Sequence, residues 1–104
     1  MEHYKKHMIT VSKPERILPS YLAGDKGEKN LPIKGPEMRG LANRLYTNFT
    51  RAHEATPSIE VVRGDSKKQA NVIATYEPGI EPNFKLMRDT LITNNYRIES
   101  EEDQ

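Results

Sequence analysis

Cysteine and tryptophan are both absent from this 104-residue chain, phenylalanine occurs twice, and no apolar run approaches the ~20 residues that a membrane-spanning helix needs. Without thiols there is no disulfide, no thiolate nucleophile and no cysteine-ligated zinc or iron–sulfur site. The opening Met-Glu-His-Tyr-Lys-Lys-His has no apolar core, so a secretory route is not expected; it is basic, but too short and too poor in arginine and serine for a transit peptide. Gly24 and Gly27 with Lys26 and Lys29 do not make a phosphate loop, because the lysine-serine or lysine-threonine pair after the second glycine is missing.

What is present is charge. Charged residues make up 30% of the chain against 35% hydrophobic, a balance that suits one small domain with a modest core that leans on a partner surface for part of its stability. Net charge is only +1, yet residues 1–76 hold 13 Lys and Arg against 8 Asp and Glu, while residues 77–104 hold 3 against 7. A domain polarised in this way steers toward charged partners without identifying them.

The clearest element is a helix from Pro36. Gly35-Pro36-Glu37 supplies a breaker, a preset first helical residue and an acid near the positive end of the helix dipole. Met38, Leu41, Ala42, Leu45, Tyr46, Phe49 and Ala52 follow at steps of three and four and fall on one side. Arg39, Asn43, Arg44, Thr47, Asn48, Thr50 and Arg51 fall on the other, which is therefore basic. His53 to Pro57 ends the helix, because proline disfavours helical geometry in the residue before it.

Ile59 to Arg63 reads as a β-branched strand and Asn71 to Tyr76 as a second, joined by the polar Gly64 to Gln69 and followed by a turn at Glu77-Pro78-Gly79. Beyond that turn periodicity leaves two readings. Phe84, Met87 and Leu91 after Pro82 fit a helix; Phe84 and Leu86 alternating with Asn83 and Lys85 fit a strand, with a final helix from Asp89 or Thr90 carrying Leu91, Ile92, Asn95, Tyr96 and Ile98 into a frayed acidic end. Residues 1–35 read as an N-terminal arm with an uncertain first strand: Met8 to Val11 is one candidate, residues 15–22 compete, Ser12 and Glu15 suggest a one-turn capping box, and Ala23 to Lys34 is a loop.

Individual chemical motifs are weak. His3 and His7 stand at helical metal-ligand spacing but lack a third ligand, and His53 suits a helix C-terminus. Neither histidine site has a carboxylate partner visible in the sequence. Arg63-Gly64-Asp65 reads as a strand end and turn, and Asn48-Phe49-Thr50 lies inside the helix. No catalytic, cofactor-binding or metal-binding residue is expected. Arg39, Arg44 and Arg51, with Lys67 and Lys68, are the candidate partner-interface residues. They could meet protein carboxylates or nucleic-acid phosphates, with Tyr21, Tyr46 or Tyr76 as stacking groups in the second case. The predicted burial of Tyr46 and Tyr76, and a pI near 8.0, weigh against a dedicated nucleic-acid binder.

One pattern carries a resemblance. Met38-Arg39-Gly40-Leu41, Arg44-Leu45-Tyr46, Ala52 to Pro57, Ile59 to Arg63, Ser66, Gln69, then Ala74-Thr75-Tyr76 with Gly79 and Glu81 resembles the thioredoxin-like domain shared by certain mitochondrial ribosomal proteins and a complex I accessory subunit. The similarity spans residues 38–81. It implies an α/β fold, a thioredoxin-like small mixed sheet with flanking helices, over residues 36–104. Ile59–Arg63 would lie beside the first strand, Asn71–Tyr76 would form a hairpin with Asn83–Met87, and a helix would end the chain. It further implies a non-catalytic subunit on the matrix side of the mitochondrial inner membrane, without a cofactor. That subunit would stabilise the peripheral arm of complex I against other subunits, the large iron–sulfur subunit among them. The alternatives are a mitochondrial ribosomal protein of the same fold, bound to rRNA and neighbouring proteins, and a small stand-alone inhibitor or adaptor module. Ala70 stands near where the family has a proline, and without cysteine a thiol role has no residue to carry it.

Overall fold

The structure is a computed structural model that describes residues 3–15 and 29–104. Its elements run β1 (Lys5–Pro14), β2 (Asn30–Leu31), α1 (Gly35–Arg51), β3 (Ser58–Arg63), β4 (Gln69–Tyr76), α2 (Phe84–Thr93) and β5 (Arg97–Asp103). The α/β class expected from the sequence, a small sheet with flanking helices, is what these elements build. Each ladder among the described residues is antiparallel, so the sheet they form is antiparallel and not mixed.

β1 is the central strand. It pairs along its length with β4 on one side and with β5 and the short β2 on the other, while β3 pairs with β4. Leaving β2 aside, the chain order β-α-β-β-α-β with β5, β1, β4 and β3 side by side is a split βαβ arrangement. Residues 5–14, read from the sequence as part of an arm, therefore form the middle of the sheet. Met8–Val11 is the right first strand, and Ser12 and Pro14 continue it in place of the one-turn capping box. The competing residues 16–22 lie outside the described residues.

Alternation along the strands decides which face is covered. His7, Ile9 and Val11 of β1 sit in register with Ala74, Val72 and Ala70 of β4, and these in turn with Ile59, Val61 and Arg63 of β3. Onto this face pack Leu41, Leu45 and Phe49 of α1 and Met87 and Leu91 of α2, with Ile33 and Tyr96 closing the ends. The helix orientation read from the sequence holds: Leu45 and Phe49 are fully buried. Tyr46 ties α1 to β3, its hydroxyl accepting from the Ile59 N–H at 2.7 Å. Asn48, assigned by periodicity to the solvent side, is half-buried and donates to the Thr90 hydroxyl of α2 at 2.8 Å.

Two expectations are corrected after the turn at Glu77–Gly79, where Gly79 takes the positive φ of 90° that the turn needs. Asn83–Met87 is not a strand. Asn83 caps α2 through the Leu86 N–H at 3.0 Å, so the spacing of Phe84, Met87 and Leu91 is helical. Nor does the chain end in a helix, because Arg97–Asp103 pairs with β1. β4, not β3, therefore lies beside β1 on that side. Both helices end in the same motif: Glu54 N–H bonds the Phe49 carbonyl and His53 N–H the Thr50 carbonyl, and Tyr96 and Asn95 repeat this on Leu91 and Ile92.

Candidate functional site

The sheet face opposite the helices is the largest feature with a bearing on function. By register it carries Lys6, Met8 and Thr10 of β1, Asn71, Ile73 and Thr75 of β4, Ser58, Glu60 and Val62 of β3, and Ser100 and Glu102 of β5. No helix among the described residues lies over it. Met8 and Ile73 are a direct cross-strand pair, and Val62 is one step diagonal to Ile73. All three are half-buried, whereas Lys6, Ser58, Glu60, Ser100 and Glu102 around them are exposed. Thr10 donates to the Asn71 carboxamide at 2.8 Å beside this apolar centre. Tyr4 is exposed at the edge of this face, lining a pocket with Ser58 and Thr75, and the rim charges have both signs.

A second feature escaped the sequence reading because His7 and its two carboxylates are more than ninety positions apart. His7 is buried and stacked on Phe84 at 4.0 Å, with Nδ1 2.8 Å from Asp103 Oδ1 and Nε2 2.6 Å from Glu101 Oε2. Arg88 of α2 reaches the same Glu101 oxygen at 2.8 Å. This cluster is a hydrogen-bonded clasp of β1, β5 and α2. The helical metal spacing of His3 and His7 fails, because four residues of extended chain span about 13 Å.

A third feature is a cleft of about 400 Å³ between α1 and the α2–β5 turn, lined by Lys13, Glu37, Gly40, Leu41, Arg44 and Asn94 to Tyr96. Lys13 Nζ lies 2.5 Å from Glu37 Oε2, and this hydrogen bond holds the Glu37 carboxyl below its ordinary value of 4.5. Burial pushes the Tyr96 phenol above its ordinary 10, with the nearby Glu37 charge adding to the effect. Close by, where β5 bulges against β1, Glu99 accepts from the Ser12 hydroxyl and from Arg97, and these bonds lower its carboxyl below 4.5.

The five basic residues singled out by the sequence are all exposed but do not form one patch. Arg44 and Arg51 lie within about 20° of each other round α1, and Arg39 stands more than about 100° away. The Arg39 guanidinium reaches back toward Gly35. Lys67 and Lys68 belong to that same end of the molecule, because the Lys67 carbonyl accepts from Ile33 N–H at 2.9 Å. Arg63 closes this turn by donating to the carbonyls of Ile33 and Lys67, so the Arg63-Gly64-Asp65 triplet is a strand end and turn. Comparison with protein-family models, curated proteins and solved structures finds no match to the chain.

Proposed function

We propose that this chain is a non-catalytic assembly subunit that acts by docking on protein neighbours. The observation that carries the reading is the open sheet face: an apolar centre of Met8, Ile73 and Val62 inside a polar rim has the anatomy of a protein interface. Protein is favoured over RNA as the occupant, because the face carries Glu60 and Glu102 where phosphates would need cations. The outward basic residues Arg44 and Arg51 supply a second contact surface for an acidic neighbour.

The resemblance supports a narrower form. Over residues 38–81 the chain runs helix, strand ending in Arg63, polar turn, strand ending in Tyr76 and the Gly79 turn, which is the order on which the likeness to the complex I accessory subunit rests. Within that group the residue pattern resembles alpha-subcomplex subunit 2 of NADH:ubiquinone oxidoreductase. In this form it stabilises the peripheral arm on the matrix side against the large iron–sulfur subunit and carries no electrons. Since a fold hosts many functions, co-migration is the test. The tagged protein is resolved from its native cells on native gels and its neighbours identified by mass spectrometry. Migration with NADH dehydrogenase activity is the expected result; migration with ribosomal RNA, or as a free monomer, overturns it.

A further inference from the structure

Gly40 stands in the middle of a 17-residue helix, where glycine is about 1 kcal/mol less favourable than alanine. A Cβ built on it meets nothing within 4 Å, so no packing among the described residues calls for glycine there. What the missing side chain does is lower one wall of the cleft between α1 and the α2–β5 turn and leave helix backbone accessible from it. Arg44 lies one turn further along the same side of α1 and also lines the cleft. Across from them stand Asn94, Asn95 and the Tyr96 phenol, with Asn95 fixed at a φ of 68° by the end of α2.

The charges settle what such a cleft accepts. Glu37 is matched by Lys13 at 2.5 Å, so the pair is internally neutralised. Arg44 is exposed, makes no hydrogen bond or ion pair among the described residues, and its field reaches the Tyr96 phenol. The surplus is one positive charge beside hydrogen-bonding amides, in a volume within the usual range for small-ligand sites.

We propose that this cleft binds a small molecule through an oxyanion group, a carboxylate or a phosphate. Arg44 is the counter-ion, Asn95 supplies a neutral hydrogen-bonding group, and Gly40 allows the ligand to approach the helix backbone. This site is separate from the sheet face, which lies on the other side of the sheet, and of the contact surfaces in the assembly reading it shares only Arg44.

The test is an amide chemical-shift titration of the whole chain with inorganic phosphate and, separately, with succinate. Binding predicts saturable shifts centred on residues 40–44 and 94–96 with at least one of the two probes, and the probe that saturates identifies the oxyanion. Arg44→Gln should weaken this binding about tenfold, as expected for loss of a charge-assisted hydrogen bond. Gly40→Leu should abolish it by filling the cleft while melting no lower than the parent, because leucine is the better helix former and its Cβ enters open space. Shifts that fail to saturate with both probes, that spread evenly over Arg51, Lys67 and Lys68, or that persist in both variants overturn the proposal.

Discussion

His53 holds a φ of 56° as the residue that ends α1, a left-handed geometry that disfavours every side chain but glycine. The sequence placed His53 at a helix end and explained it by charge; its backbone geometry follows from two hydrogen bonds that no local pattern displays. His53→Gly should therefore raise stability by about 1 kcal/mol, read as an increase in the urea midpoint at unchanged slope. The carboxylates give the second expectation at this scale. Glu37 and Glu99 both sit below their ordinary 4.5 when folded, so their stabilisation is present above that pH and is lost as pH falls through the lowered folded values. Glu37→Gln with Glu99→Gln should be less stable than the parent at neutral pH and should flatten the acid limb of a melting-temperature profile. The raised Tyr96 phenol acts at the other end, its contribution being lost as pH rises above 10.

Elements with strong local signals were legible and the others were not. α1 announced itself through Pro36 and seven apolar positions, and β3, β4 and both turns through β-branched runs and Gly-Pro chemistry. Residues 83–93 were left with two readings because Phe84 to Met87 satisfies both periods, the helical one being right, and residues 97–103 were misread because an acidic tail looks like a frayed end until its hydrogen-bonding partners are known. Those partners are Arg88 and His7 for Glu101, and Ser12 and Arg97 for Glu99. β5 is a strand because β1 needs a second neighbour and these groups hydrogen-bond its carboxylates. His7 is the centre of that arrangement. His7→Ala leaves Asp103 without its partner and β5 held by β1 ladder bonds and Arg88, and should cost about 2 to 4 kcal/mol. Hydrogen exchange should report the loss first at the amides of residues 100–104, whereas uniform loss across β3 and β4 would mean that the clasp does not act on β5.

The whole molecule is a sheet with one face sealed by two helices and the other left open among the described residues. The open face could not be read from the sequence, because it is assembled from four strands in a register that only the paired sheet defines, and its apolar centre comes from Met8, Val62 and Ile73 on three of them. The basic residues, by contrast, were visible in the sequence, but the fold separates Arg44 and Arg51 from Arg39, Lys67 and Lys68. The same scale holds the central claim, that the open face docks on a protein neighbour. The most direct measurement compares tagged parent with Met8→Glu, Ile73→Glu in the native cells, after confirming that both melt at similar temperatures. The parent should migrate within a large protein assembly and the double variant as free monomer. Equal incorporation of the folded double variant would contradict it.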